Sequence, residues 1–434
     1  MENENHNRKW KNVFIVLLYA IFFIGLIFNF RAVSSISTGC LLLFGLFTQA
    51  YRFKFLISRK GLLVYFVGCF LYVILVKLNW LFGSSGEAGW TDLQLKSGLV
   101  LVPLAIILSF PNQQQVLKII LQCYCITLLI ASLYCIGMDI RTWTENHDNS
   151  IFFFHALMSP LHQHAVYFSI YVMAVFPFLA GSREGRFTVF GKGINSIIFI
   201  YFTIFLILLS SKLILAFYVI FLLYLFIKGV IKGNQRGLLW FSAAVGLLSF
   251  TLLIITNNPV GSRIRKTVLG NPFMATKENF DPGVYFNDVQ FRVLQFSIVP
   301  EILEAQHAWW KGVGPANAQL LINEQYANRN MYLGGKNSGL GYRAYNTHDQ
   351  PLESLLRYGI AGLLFFTLIL IGLLMMLGET RSGIDRIMIA MIMAYSFVEA
   401  VFETQYGIFL LGLFPLLFYL PWQANLQRKT SVSI

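Results

Sequence analysis

Asn195–Lys228 reads NSIIFIYFTIFLILLSSKLILAFYVIFLLYLFIK. Its only charges are Lys212 and the terminal Lys228. One helix of this length would run about 50 Å at 1.5 Å per residue, well beyond the ~30 Å hydrocarbon core of a bilayer. Two helices of half the length nearly match that core. Ser210-Ser211-Lys212 supplies the polar interruption at the midpoint. The stretch therefore predicts a membrane hairpin with spans at 194–210 and 212–228.

The same texture extends in both directions. Of the 434 residues, 56% are hydrophobic and 12% charged, against about a quarter charged in soluble domains. Further apolar runs predict spans at 13–29, 32–50, 61–79, 93–110, 115–137, 162–181, 237–256, 352–377, 384–401 and 404–422. The fold class is an all-α polytopic membrane protein with about twelve membrane helices. Val13–Phe28 lacks a small-x-small cleavage site and reads as a retained signal-anchor. The organisation falls into residues 1–256 with nine spans, a large loop at 257–350, and residues 351–434 with three spans and a tail.

Threading the spans sorts the basic residues. One side receives Arg8, Lys9, Lys11, Arg52, Lys54, Arg59, Lys60, Lys118, Arg183, Arg186, Lys192, Lys228, Lys232, Arg236, Arg381, Arg386, Arg428 and Lys429. The short loops of the other side hold only Arg31, Arg141 and Lys212. The positive-inside rule then places both termini in the cytoplasm and the large loop outside it. The net charge of +13 is thus topological information, and no nucleic-acid partner is expected.

The large loop contains no cysteine, since Cys40, Cys69, Cys123, Cys125 and Cys135 all fall in predicted spans. No disulfide framework holds it. Phe291–Trp310 reads as an amphipathic helix with Val293, Phe296, Val299 and Leu303 on one face, ended by Gly312-Val313-Gly314-Pro315. A second helix is expected over Ala316–Tyr326.

Two sets of residues have the chemistry for a site. Arg31, Lys77, Lys96 and Lys212 map near the outer ends of spans, against the charge bias, and a cation near the bilayer costs a few kcal/mol. An anionic partner offsets that cost. Lipid phosphates reached by snorkelling are the bland partner, and a lipid-linked diphosphate is the sharper one. The second set begins with His348 in NTHDQPLESLLRYGIAGLL, just before a span. A neutral imidazole accepts a proton near pH 7. Asp349, Glu353 and Arg357 follow, with helix capping and charge pairing as the plain reading. His155, His162 and His164 cluster near Tyr167 and read as an acceptor or glycan surface. Trp309 and Trp310 suit either sugar stacking or anchoring at the interface. No metal site is expected: Asp281 and Asp288 are too far apart for a paired-carboxylate motif, and Cys123 and Cys125 point to different helix faces.

His348 followed by Leu352, Leu355, Gly359 and Gly362 resembles the signature of the bacterial O-antigen ligase and polymerase superfamily. Arg292 ahead of Trp310-Lys-Gly-Val-Gly-Pro-Ala-Asn317 resembles that family's loop motif, and the order of hairpin, span, large loop and three spans is also similar. The specific motifs lie between Leu206 and Phe366. The resemblance implies a GT-C-like membrane glycosyltransferase of the bacterial inner membrane, with a periplasmic active site. It implies transfer of an oligo- or polysaccharide from a polyprenyl-diphosphate donor to an acceptor hydroxyl, such as one on lipid A–core, with inversion and without a metal or other cofactor. His348 is then the expected base, and Arg292, Lys212 and Lys96 the expected donor-diphosphate ligands. His164, Tyr167, Trp309 and Trp310 are the expected acceptor or glycan contacts. In ligases the hairpin's second half usually opens with Ser-Arg, whereas this chain has Ser211-Lys212, so a single ammonium replaces a bidentate fork. A polymerase joining lipid-linked repeat units and a protein O-oligosaccharyltransferase are the alternatives within the class. A lipid-linked glycan transporter is the rival outside it, but such carriers usually show related halves and mid-membrane polar sites.

Overall fold

The computed structural model describes residues 2–83, 86–111, 113–181, 189–231, 261–262, 265, 270–334 and 341–431. Among them the chain is helical, with no strand. The helices are α1 (Glu2–Ile27), α2 (Arg31–Gln49), α3 (Arg52–Ser58), α4 (Lys60–Phe82), α5 (Gly86–Ser109), α6 (Gln114–Asn146) and α7 (Phe154–Leu157). They continue as α8 (Ala165–Ala180), α9 (Lys192–Leu209), α10 (Lys212–Ile231), α11 (Asp288–Ala305), α12 (Pro315–Asn328), α13 (Gln350–Glu379), α14 (Gly383–Tyr395) and α15 (Gln405–Ser431). Six of these, α1, α2, α4, α5, α6 and α13, contain segments long and apolar enough to cross a membrane; α8, α9 and α15 carry shorter apolar helices. The protein is a multi-pass, all-helical membrane protein.

The hairpin forms where its sequence predicts. Ser210 ends α9 in the left-handed conformation with φ +53°, and its N–H donates to Ile207 O at 3.0 Å. Leu215 N–H reaches back to Ser211 O at 2.8 Å, so α10 starts at Lys212. Two serines can supply such a turn because their short side chains tolerate it and satisfy nearby carbonyls. The expected span at 237–256 lies outside the described residues.

One expected span is corrected. The stretch 384–401 is not one continuous helix: α14 stops at Tyr395, and the chain continues unwound to a 3₁₀ turn at Val401–Glu403, back beside Gln350 at the start of α13. Thirteen residues rise only about 20 Å. The unwound segment survives in the interior because other elements take its carbonyls. Gln350 N–H donates to Ser396 O at 3.0 Å, and an Arg292 guanidinium N–H donates to Val398 O. Unwinding lets two carboxylates reach separate partners, Glu399 facing His348 and Glu403 facing Lys96 and Arg357.

Two apolar cores organise the molecule. The larger fills the bundle around α8, whose residues are almost all buried, as expected of a helix that is hydrophobic all round. Helix α13 packs on α4 through small residues, with Gly68 against Ile369 and Gly372 against Tyr65. The smaller core joins α11 and α12 to the start of α13 through Phe291, Leu294, Ile298, Ile322, Tyr326 and Leu356. Asn287 and Gln290 form a capping box at the start of α11. The helix ends at Ala305, earlier than the sequence predicts, where His307 turns left-handed. Its buried face is also rotated from the expected one: Val299 and Leu303 are buried, but Phe296 is 59% exposed. Arg329 closes this unit, its Nη2 lying 2.6 Å from both carboxylate oxygens of Glu301.

A turn at Trp310–Gly314 locks the two units together. Gly359 breaks α13, with φ +65° and ψ −159°. The break withdraws Leu356 O and Arg357 O from helical bonding. Val313 N–H donates to the first at 2.9 Å and Gly314 N–H to the second at 3.1 Å, while Ile360 N–H donates to Trp309 O at 2.8 Å. Gly312 (φ +69°) lies against the backbone of Arg357, leaving no room for a side chain.

Candidate active site

The segment between Tyr345 and α13 carries His348 in a left-handed backbone conformation, φ +47°. Such a conformation is uncommon for a residue with a β-carbon and persists only where its surroundings fix it. Four bonds do so. His348 N–H donates to Asn346 Oδ1 at 2.9 Å, and Arg292 Nε donates to His348 O at 3.2 Å. On one side Thr347 donates its hydroxyl to Glu353 Oε2 at 2.7 Å; on the other, Asp349 caps α13 by accepting from Leu352 N–H at 2.9 Å. Phe291 and Tyr345 set edges or tilted faces against the imidazole, with ring centroids 5.7 and 5.3 Å away.

The carboxylate facing His348 is Glu399. Its Oε1 lies 3.2 Å from Nδ1. The contact favours the tautomer in which Nδ1 carries the proton and donates it to Glu399, which leaves Nε2 as the basic nitrogen. Asp349 is committed to the helix cap, and Glu353 to Thr347 and to Arg357 at 2.6 Å. Neither orients the imidazole ring. Burial raises the Asp349 carboxyl above its ordinary range, although the Leu352 amide and Arg292 pull against it.

Arg292 joins three segments by donating to Asp288 O at 2.9 Å, to His348 O and to Val398 O. Burial pulls its guanidinium below the ordinary value, opposed by Asp288, Glu399 and Asp349; an arginine nonetheless stays charged. All three acceptors are neutral carbonyls, so the cation has no carboxylate in contact among the described residues. Lys212 Nζ lies 2.6 Å from Asp288 Oδ2. A pocket of about 90 Å³ opens between these groups, lined by Asp288, Arg292 and His348 with Tyr285, Phe291 and Tyr345 among its aromatic walls. Arg292 and His348 thus share one pocket, and Lys212 borders it through Asp288.

His164 approaches from the bundle side, at the start of α8. It is within electrostatic range of both Glu399 and His348, and its Nδ1 is buried without a hydrogen-bond partner among the described residues. Its ring lies 4.3 Å from that of His155 and 5.5 Å from that of Tyr167. Tyr167 OH lies 2.9 Å from Thr404 Oγ1. His162 is exposed.

Two expectations need correction. Lys96 does not reach this pocket. It is fully buried, 2.5 Å from Asp92 and 2.9 Å from Glu403. Arg357 completes the cluster, 2.6 Å from Glu353, 2.8 Å from Glu403 and 3.5 Å from Asp92, and Tyr358 OH donates to Asp92. Carboxylates already neutralise Lys96, and no diphosphate can reach it. Trp309 and Trp310 are also elsewhere. They lie past the end of α11, roughly 20 Å along the helix from Arg292 at 1.5 Å per residue. Trp309 donates its indole N–H to Glu304 at 2.9 Å, and Trp310 is 77% exposed.

The cluster around Lys96 holds three carboxylates against two cations. Lys96→Ala is therefore expected to cost about 3–5 kcal/mol, because buried carboxylates lose their partner. Thermal unfolding of the purified protein in detergent checks this, with Lys96→Arg expected to keep much of the loss at bay. An unchanged unfolding temperature for Lys96→Ala would show that the cluster carries no net stabilisation.

The residue that sequence reading missed is Glu399. The signal was present: Glu399 stands inside the expected span 384–401, and Glu403 four residues on lies between that span and the next. An ionisable group at membrane depth calls for a named partner. No protein-family model matches the chain, and no curated protein matches it.

Proposed function

We propose that this chain is an O-antigen ligase-like glycosyltransferase with about twelve membrane helices and a GT-C-like arrangement. It sits in the bacterial inner membrane with both termini in the cytoplasm and its active site on the periplasmic face. It transfers an oligo- or polysaccharide from a polyprenyl-diphosphate donor to an acceptor hydroxyl, of lipid A–core or a similar glycolipid. The observation that carries this reading is one pocket with two functions: His348, backed by Glu399, supplies a base, and Arg292, hydrogen-bonded to backbone carbonyls alone among the described residues, supplies positive charge for an anion.

In this reaction the acceptor O–H gives its proton to His348 Nε2 as its oxygen attacks the anomeric carbon. The bond from that carbon to the diphosphate breaks on the opposite face, inverting the centre. Polyprenyl diphosphate departs with the electron pair. Arg292 balances its charge, and Lys212 joins it by exchanging Asp288 for a phosphate oxygen, so departure needs no strong acid. The residues present need no metal for either step. Tyr167, expected as an acceptor contact, is buried and bonded to Thr404, and neither it nor His164 lines the pocket, so the acceptor enters from the side of Tyr285 and Tyr345.

The test is turnover. The purified chain, reconstituted with a polyprenyl-diphosphate-linked glycan and a glycolipid acceptor, is expected to release polyprenyl diphosphate and form one new glycosidic bond of inverted configuration. Donor consumption without acceptor product, or retention of configuration, would overturn the reading. Orientation has its own check. Asn279 and Ser58 are both exposed, so a cysteine at either is open to a thiol reagent. An impermeant reagent added outside spheroplasts is expected to label Asn279→Cys and spare Ser58→Cys. The reverse pattern would put the site in the cytoplasm.

A further inference from the structure

A second concavity lies at the far end of α11 from His348. It has a volume of about 950 Å³, near the top of the ~300–1,000 Å³ range of small-ligand pockets. One wall is the last turns of α4, with Leu78 and Phe82; the other is the Trp310–Gly314 turn and the outward side of α12, with Leu320. Lys311 and Asn317 stand on its polar side.

The apolar residues of this groove are unusually exposed. Phe82 is 84%, Trp310 77%, Leu320 66% and Leu78 45% accessible. They continue a row already present on α4. Val67, Phe70, Ile74, Leu78 and Leu81 are exposed at three- and four-residue spacing along that helix, which is one of those able to cross a membrane. A row of this kind on a membrane helix faces acyl chains. The groove is where that row leaves the helix bundle and passes under the turn. A tryptophan beside a lysine marks the level of the head groups. Lys311 has no ion pair among the described residues, whereas the cations deeper in the protein are bonded to carbonyls or carboxylates.

We propose that this groove binds one anionic phospholipid of the surrounding bilayer. An acyl chain lies along Leu78, Phe82 and Leu320, and the head-group phosphate meets Lys311. The site is distinct from the His348 pocket and does not rest on the reaction proposed above. Its consequence is mechanical. The wall that the lipid touches is the same turn whose Val313 and Gly314 amides cap the break in α13. An occupied groove therefore holds the turn against that break, and lipid composition feeds into the stability of the α11–α12 unit.

The experiment uses the purified full-length chain, delipidated in detergent and then given phosphatidylglycerol or phosphatidylcholine. Native mass spectrometry counts retained lipid, and thermal unfolding reports stability. The wild type is expected to retain phosphatidylglycerol preferentially and to unfold at higher temperature with it than with phosphatidylcholine. Lys311→Gln should retain about fivefold less phosphatidylglycerol with phosphatidylcholine unaffected, the loss expected for one basic contact at an anionic lipid surface. Lys311→Arg should restore it. Leu320→Asp, on an exposed position that tolerates change, should lose both lipids. Equal retention of the two lipids by wild type, or retention indifferent to Lys311→Gln and Leu320→Asp, would overturn the proposal. So would Leu320→Cys chains that crosslink to each other in nanodiscs, since a second copy would then cover the groove.

Discussion

Gly359→Ala is expected to leave almost no folded protein. Two separate costs meet at this residue. Its backbone, at φ +65° and ψ −159°, lies in a region essentially reserved for glycine, and an L-residue held there costs about 1–3 kcal/mol. A β-carbon would also fall inside the van der Waals surface of the Trp310 carbonyl and lie 2.6 Å from Trp309 O. That backbone cannot yield without loosening the Val313, Gly314 and Ile360 bonds that close the break. The carbonyls released would be left unsatisfied in the protein interior, at a further cost of several kcal/mol. Together these losses rival the roughly 5–15 kcal/mol that holds a typical domain folded. Gly378→Ala is the control. It lies in the same helix, with nothing within 4 Å of an added β-carbon, and is expected to leave yield unchanged. Monodisperse protein on size-exclusion chromatography is the measurement. A normal peak for Gly359→Ala would show that α13 can straighten and that the Trp310–Gly314 turn is not its lock.

The reason this lock could be glimpsed in the sequence, but not read, is informative. Gly312, Gly314 and Gly359 stand out as glycines in motifs, yet nothing local says that the first pair caps the last. The contact joins residues nearly fifty apart and depends on α11 and α12 packing in between. Periodicity, by contrast, is local. It is why α4, α13 and the hairpin at Ser210 fall where hydropathy puts them. It is also why hydropathy draws 384–401 as one continuous helix. Hydropathy averages Glu399 and Glu403 into an apolar window, whereas their charges need Arg292, His348, Lys96 and Arg357 from elsewhere in the chain. Lys96 failed as a substrate ligand for the same reason. A lysine at the outer end of a span looks unpaired until Glu403, from the other end of the chain, arrives beside it. Within the site, His348 and Arg292 were legible because they sit in short motifs. Glu399 has no motif, and only the fold brings it to the imidazole.

His348→Ala is expected to lower glycan transfer by roughly a hundredfold to ten-thousandfold, the usual worth of a positioned base, while donor binding stays close to wild type. The separation follows from geometry. The charge that attracts a diphosphate comes from Arg292 and Lys212, and neither depends on the imidazole: Arg292 bonds the backbone carbonyl of residue 348, and Lys212 bonds Asp288. The proton acceptor is the ring itself. His348→Gln is expected to keep a trace of activity, since an amide can orient the acceptor hydroxyl but cannot take its proton. Glu399→Gln then separates the two roles of the pair. It keeps the shape of the contact to Nδ1 and removes the charge that steadies the imidazolium formed as the proton moves. Its loss should fall on kcat, with the KM for donor unchanged. A carboxylate that served only to hold the 396–403 segment in place would instead lower yield and raise KM. Single-turnover transfer and equilibrium donor binding, measured on the same purified variants, read these outcomes independently. Wild-type transfer by His348→Ala would remove His348 from the chemistry. The base would then pass to His164, which has a buried Nδ1 and acts electrostatically on the same carboxylate.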